Sequence, residues 1–297
     1  MKIHIAEHYG LCFGVRDAIA QAERLADAAP LTILGELVHN PIVRERLATR
    51  DVQEGSLGAV GDAPTQQVMI TAHGASDMAR GAWREAGFGV ADGTCPLVRH
   101  AHGQLRVLVA LGCQPVVIGK AGHVEVLGLT GDFPEAVVIE SEADFSKLPI
   151  AARYGVISQT TQPIERVESL VAALRAHFPQ SEVLFRDTVC QPTKNRQTAL
   201  KKLLAECDTL VVVGGRNSNN TLALVAAAQA AGRRAIHVLC AEELRAEWFS
   251  TAENVGVTAG TSTLKETVAA VVARLEVFRE RYSALESHAE SNKEVAA

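Results

Sequence analysis

The chain has 297 residues, long enough for two or three compact units, and its 47% hydrophobic and 21% charged residues predict a soluble globular protein. A net charge of −5 with 4% aromatic residues offers no basic surface for a nucleic acid backbone, so nucleic acid is excluded as an expected partner. No run approaches the roughly 18 apolar residues of a membrane span.

The opening MKIHIAEHYG reaches Glu7 and His8 with no apolar stretch behind it, so no secretory signal is expected and a cytoplasmic setting is. From there short β-branched runs alternate with helix-length amphipathic stretches. KIHIA leads to GVRDAIAQAERLADA; LTIL, QVMIT, FGVAD, PVVIG and AVVIE follow; YGVIS leads to PIERVESLVAALRAHF, and EVLFR to NRQTALKKLLAE. TLVVVG leads to NTLALVAAAQAAG, then RAIHVL, and NVGVTAG leads to LKETVAAVVARLEVF. The alternation predicts an α/β protein with mainly parallel sheets. After about Arg281 the chain turns polar, which predicts a loosely packed or solvated tail over 281–297.

A second pattern lies over the first. Cys12 follows the first strand; 27 residues on, LTIL is followed by GELVHN with His39, and QVMIT by TAHG with His73. Cys95 opens a second round; 28 residues on, PVVIG is followed by GKAGHVEV with His123, and YGVIS by SQTTQP with Thr160. Cys190 opens a third; 28 residues on, TLVVVG is followed by GGRNSNN with Ser218, and NVGVT by AGTS with Ser262. Three rounds, each led by a cysteine, predict pseudo-threefold symmetry. Because ligands of parallel sheets bind beyond the carboxyl ends of strands, all nine positions are candidates for one cavity.

In a reducing compartment six cysteines are metal ligands, nucleophiles or core residues rather than disulfide halves. Cys113, Cys207 and Cys240 lack a polar neighbourhood and read as small buried hydrophobes. Cys12, Cys95 and Cys190 stand at strand-to-helix corners, in GLCFGV, GTCPLV and TVCQPT, where a helix N-terminus favours the thiolate. Three soft ligands select zinc or an iron–sulfur cluster. No C-x2-C pair of a structural zinc site and no compact C-x3-C-x2-C is present, and three distant segments suit a cluster with one iron left open.

The donors in the same loops suit phosphate. Imidazoles of His39, His73 and His123, with Ser218 and Asn220 on a glycine-rich helix start and Ser262 on another, form an anion environment with hardly a lysine. G-x4-G-K-[ST] is absent, so it is not a P-loop. Glu125, in GHVEV, is the one carboxylate of the set and reads as a proton donor. His4, His8, His100, His102, His177, His237 and His288 read as structural histidines; His100 and His102, two apart on a helix, face different ways.

Taken together, GLCFGV, GELVHN, TAHG, DGTCPLV, GHVEV, SQTTQ, TVCQPTKNRQ, GGRNSNNT and TAGTS resemble the LytB/IspH family of 4-hydroxy-3-methylbut-2-enyl diphosphate reductases over nearly the whole chain. The resemblance implies three small α/β domains in a cloverleaf around a central 4Fe-4S cluster: 13–95, 96–189, and 1–12 plus 190–280, the first strand completing the third sheet. It implies cluster ligands Cys12, Cys95 and Cys190 with an open apical iron. His39, His73, His123, Ser218, Asn219, Asn220 and Ser262 would bind the diphosphate, and Glu125 and Thr160, with His123, would serve proton delivery. The activity implied is reductive removal of an allylic hydroxyl, the last step of the methylerythritol phosphate route to isoprenoids. Electrons would come from ferredoxin or flavodoxin, and the protein would be a monomer or weak dimer.

Three positions depart from the family pattern: Val124 where proline is usual, Gly93 where alanine is common, and Asn219 where some members have serine. Rival readings are a related reductase of another allylic diphosphate, a three-cysteine zinc hydrolase or lyase, and a non-enzymatic iron–sulfur sensor or storage module.

Overall fold

The computed structural model describes residues 1–38 and 40–295, and for residue 219 and residues 285–295 the backbone alone. The chain is α/β, with three four-stranded sheets in which every strand pair is parallel. The first strand is β1 (Lys2–Ile5), followed by α1 (Phe13–Ala28). One sheet then comprises β2 (Leu31–Leu34), β3 (Val52–Gly55), β4 (Gln67–Ile70) and β5 (Gly89–Asp92), with α2 (Pro41–Ala48) and α3 (Asp77–Glu85) between them.

After α4 (Pro96–Ala110) a second sheet comprises β6 (Gln114–Ile118), β7 (Val137–Ile139), β8 (Arg153–Ser158) and β9 (Glu182–Phe185), with α5 (Val124–Thr130) and α6 (Ile164–His177). After α7 (Gln191–Glu206) come β10 (Thr209–Val213), α8 (Asn219–Ala230), β11 (Arg234–Val238), β12 (Asn254–Ala259) and α9 (Lys265–Val295).

The sheets share one topology. Their orders are β3-β2-β4-β5, β7-β6-β8-β9 and β11-β10-β12-β1, so each starts at its second position, crosses to one edge, then returns past itself. The fourth place, held by β5 and β9 in two sheets, is taken in the third by β1, which pairs Lys2 with Asn254 through Ile5 with Val257. In this order the strand sequence reverses between the first and third strands of each round, and that switch point is where a parallel sheet opens a crevice.

The central strands LTIL and TLVVV are buried at every residue because helices cover both faces, which is why they read as unbroken apolar runs rather than alternating ones. β3, sequence VQEG, was not predicted: it is an edge strand with only Val52 buried, so it has no apolar run to announce it. The polar segment from 281 continues α9 as helix through Val295, and Tyr282 donates from its hydroxyl to the Ala246 carbonyl at 2.7 Å, so the expected tail is helical and held at its start.

Two compact units emerge. One holds Met1–Cys12, Asn40, Pro41 and the chain from Asn195; its sheet packs Val257, Phe249 and Leu275 of one layer and Leu203, Leu210 and Leu224 of another. The other, Phe13–Val38 and Ile42–Lys194, contains the two remaining sheets. Within it α4, which follows β5, lays Ala101, Leu105 and Leu108 on Val117 and Ile157 of the neighbouring sheet. A Cβ built on Gly128 of α5 would lie 3.4 Å from the Gly74 and Ala75 backbone, and the Asp132 carboxylate accepts from the N–H groups of Asp77 and Met78 at 2.8 and 3.0 Å, capping α3.

Candidate active site

The second unit carries two of the three corner cysteines. Cys95 follows β5 and caps α4, with Pro96 at the first helical position, where its missing N–H costs nothing. Its N–H donates to the Ala72 carbonyl at 3.0 Å. A Cβ built on Gly14, near the start of α1, would lie 2.5 Å from the Cys95 sulfur, so GLCFGV needs its second glycine for a sulfur to rest against backbone. Asp92 accepts from the Thr94 N–H at 2.9 Å and from its hydroxyl; burial works against its charge, yet these bonds with Arg80 and Arg99 hold the carboxyl below its ordinary range.

Cys190 follows β9 and opens α7. Its N–H donates to the Thr160 carbonyl at 2.9 Å, its carbonyl accepts from Thr193 and Lys194, and its sulfur lies 3.1 Å from the Thr193 hydroxyl. Both sulfurs therefore stand where helical N–H groups favour negative charge.

The polar residues of this unit sit beyond the first and third strands of their sheets. His73 follows β4, with Nδ1 3.3 Å from the Thr71 hydroxyl. His123 follows β6 and caps α5, its Nδ1 accepting from the Glu125 N–H at 3.1 Å. In the neutral ring that assignment leaves the proton on Nε2, as a donor. The two imidazoles meet edge-on with centroids 5.7 Å apart.

Glu125 is 2% exposed and belongs to the buried face of α5. Its oxygens accept from the Thr160 N–H at 2.6 Å and the Thr160 hydroxyl at 3.0 Å. Burial pushes its pKa from 4.5 up to about 7, and the two bonds from Thr160 restrain the rise. Val124, exposed at the first turn, leaves this arrangement in place: His123 has φ −66° and ψ 137°, the extended conformation a following proline would itself require.

The other unit carries Cys12 and the serine loops. The loop before Cys12 is tied to the end of β12 by Gly10 N–H to the Ala259 carbonyl and Leu11 N–H to the Thr263 carbonyl at 3.0 Å. Gly10 has φ 70°, the left-handed region. Arg196, buried, donates from Nη2 to the Gly10 carbonyl at 2.6 Å. Ser218 follows β10 and caps α8, accepting from the Thr221 N–H at 3.3 Å, so its own hydroxyl hydrogen stays a donor. Asn220 accepts from the Thr261 N–H at 3.1 Å. Ser262 follows β12; its carbonyl accepts from the Asn40 amide at 2.6 Å, while its buried hydroxyl has no protein partner. His39 and the side chain of Asn219 lie outside the described residues.

Asn40 was not singled out from the sequence, although it adjoins His39 in GELVHN. Arg196 and Thr193 stand in TVCQPTKNRQ and were likewise passed over; only the folded loops show what they touch.

Two histidine and cysteine readings need correction. His102 is buried but not satisfied: Nε2 has no partner, and burial, with Arg80 nearby, lowers its pKa. Cys240 is half-buried rather than core and has a polar neighbour, since a bond with Glu242, then burial, raises its thiol pKa. Cys113 and Cys207 are buried as expected, and burial pushes both thiols up, Cys207 to about 11 with help from Glu206 and Asp208. Among the described residues there is no disulfide, no group of three or more His, Cys, Asp or Glu at the spacing of a single metal ion, and no helix long and apolar enough to cross a membrane.

Residues 3–276 match the LytB protein family. The 4-hydroxy-3-methylbut-2-enyl diphosphate reductase of Saccharophagus degradans is 35% identical over 288 residues, spanning 94% of this chain and 92% of that protein. Among solved structures, the E-1-hydroxy-2-methyl-but-2-enyl-4-diphosphate reductase of Plasmodium falciparum superposes with TM-score 0.83 at 26% identity, over 92% of this chain and 87% of that one. A structure of (E)-4-hydroxy-3-methyl-but-2-enyl diphosphate reductase, described as the terminal enzyme of the non-mevalonate pathway, superposes with TM-score 0.67 at 33% identity, over 93% and 99%. The chain belongs to the LytB family.

Proposed function

We propose that this chain is the reductase that removes the hydroxyl of 4-hydroxy-3-methylbut-2-enyl diphosphate, giving isopentenyl and dimethylallyl diphosphate. One observation carries the chemistry: the buried Glu125 carboxyl, with a pKa of about 7, is fastened through Thr160 to the backbone of Cys190. An acid that keeps its proton near neutral pH, tied through one residue to the backbone of a candidate sulfur ligand, is what expulsion of a hydroxyl requires.

Cys12, Cys95 and Cys190 would hold a 4Fe-4S cluster with an open apical iron. The donor set fits: soft thiols, two of them at the N-termini of α4 and α7, and a glycine at 14 that leaves the Cys95 sulfur its place. When bound, the cluster supplies electrons singly and a Lewis-acidic site at the departing hydroxyl. His39, His73, His123, Ser218, Asn219, Asn220 and Ser262 would hold the diphosphate. The Nε2 hydrogen of His123 and the unpartnered Ser262 hydroxyl are donors of the kind phosphate oxygens accept.

Protonated Glu125 turns its O–H toward the Thr160 hydroxyl, whose own hydrogen then points onward, so the pair relays a proton. Two electrons and two protons convert the allylic C–O bond to C–H and release the hydroxyl as water. Ferredoxin or flavodoxin would deliver the electrons, in the reducing cytoplasm, to a monomer or weak dimer.

Anaerobic purification with metal and sulfide analysis tests the reading. Brown protein with about four iron atoms per chain is expected; colourless protein holding zinc alone would contradict it.

A further inference from the structure

We infer that the Thr193 hydroxyl donates a hydrogen bond to the Cys190 sulfur when that sulfur ligates the cluster, and that this bond makes the cluster easier to reduce. The inference rests on the cluster reading above and adds to it a residue outside the proposed ligand and diphosphate-binding sets.

The geometry is already set. The Thr193 oxygen lies 3.1 Å from the sulfur, in a side chain 2% exposed, so water does not compete for the hydroxyl. The Thr193 N–H donates to the Cys190 carbonyl at 2.9 Å, closing the same turn a second time, and the Cys190 N–H is held by the Thr160 carbonyl. In a thiol–hydroxyl pair either atom donates. A ligating thiolate has no hydrogen, so the donor is then Thr193.

The sequence isolates this hydroxyl. Three residues beyond each corner cysteine the chain reads Val15 in CFGV, Val98 in CPLV and Thr193 in CQPT. The shape is nearly constant while the oxygen occurs once. A threonine near a helix start commonly turns its hydroxyl to backbone, yet here it lies against sulfur. Hydrogen bonds to cluster sulfurs stabilise the reduced, more negative state and so raise the potential.

The test is a reductive titration of the anaerobic, cluster-loaded protein with dithionite, followed by electron paramagnetic resonance. One electron passes from dithionite to the cluster, with no bond to the protein made or broken. Thr193→Val, which gives this corner the residue of the other two, should keep its iron and weaken reduction about tenfold, a downward shift of about 59 mV for one electron. Thr193→Ser, which restores the oxygen, should return the midpoint to the wild-type value. Thr193→Ala gives the same comparison should the valine variant misfold. A Thr193→Val or Thr193→Ala cluster with the wild-type midpoint would overturn the inference and leave the cluster reading standing. A wild-type protein that takes up no cluster would overturn both.

Discussion

Glu125 concentrates the account at the scale of single residues. Replacing it by Gln keeps both contacts to Thr160, since the amide oxygen accepts from the N–H and the amide nitrogen donates to the hydroxyl. Cluster content and diphosphate binding should persist while turnover falls at least about 100-fold, the scale of a lost general acid; unchanged turnover would remove Glu125 from the chemistry. The same substitution has a stability signature. The carboxyl's pKa is 4.5 when unfolded and about 7 in the fold, so the folded state holds the proton more tightly. Its contribution is full below 4.5 and is lost as pH rises through 7, a cost of about 3 kcal/mol at alkaline pH. Melting curves of Glu125→Gln against wild type should therefore coincide near pH 4.5 in their Glu125-dependent part, and the variant should gain on wild type up to about pH 8.

Thiol substitutions separate ligands from fillers. Serine at Cys12, Cys95 or Cys190 should strip or destabilise the cluster, whereas serine at Cys113, Cys207 or Cys240 should leave iron content unchanged. The corner positions were legible because strand, corner and helix follow each other in sequence. Cys240 was misread because Glu242, two residues on, bonds the thiol only once the turn after β11 folds. Asn40 and Ser262 are 222 residues apart, a separation no local pattern reports.

Elements set where these residues point. At the start of α1 Gly14→Ala should favour the helix by about 0.5–1 kcal/mol, yet its Cβ would press on the Cys95 sulfur at 2.5 Å. The expected result is an apoprotein that melts no lower than wild type and takes up less iron; full iron uptake would show that the sulfur does not need that glycine. At α5, proline at 124 removes unfolded-state freedom at a position already shaped for it. Val124→Pro should raise stability by about 0.4–1 kcal/mol, read as a higher Tm with cluster and turnover retained. A lower Tm would mean the His123 corner is less like an X-Pro corner than its angles say. The helices were legible wherever an apolar stripe continued for several turns; β3 and α2 escaped because an edge strand with one buried residue and a helix with two carry too little pattern.

Across the whole molecule the recurring unit is the sheet order. In every sheet the corner cysteine follows the strand in the fourth place: β1 before Cys12, β5 before Cys95, β9 before Cys190. The first and third strands of each round, flanking the switch point, are followed by the polar positions: β4 by His73, β6 and β8 by His123 and Thr160, β10 and β12 by Ser218 and Ser262. The near-constant spacing of the motifs made three rounds legible without any residue identity between them. The helix α4 packs on the sheet of the round that Cys95 opens, within the expected 96–189; what spacing did not show is that two of the three sheets share a compact unit. That joining includes the Asp132 carboxylate on the N–H groups of Asp77 and Met78, 55 and 54 residues away, which a motif scan does not weigh.

Anaerobic turnover of 4-hydroxy-3-methylbut-2-enyl diphosphate with a one-electron reductant, product formation being followed in wild type and in Cys190→Ser, decides whether the corner cysteines serve this reaction. Isopentenyl and dimethylallyl diphosphate are expected from the wild type and none from the variant. Substrate left unconverted by a cluster-loaded wild type, or equal conversion by the variant, would contradict it.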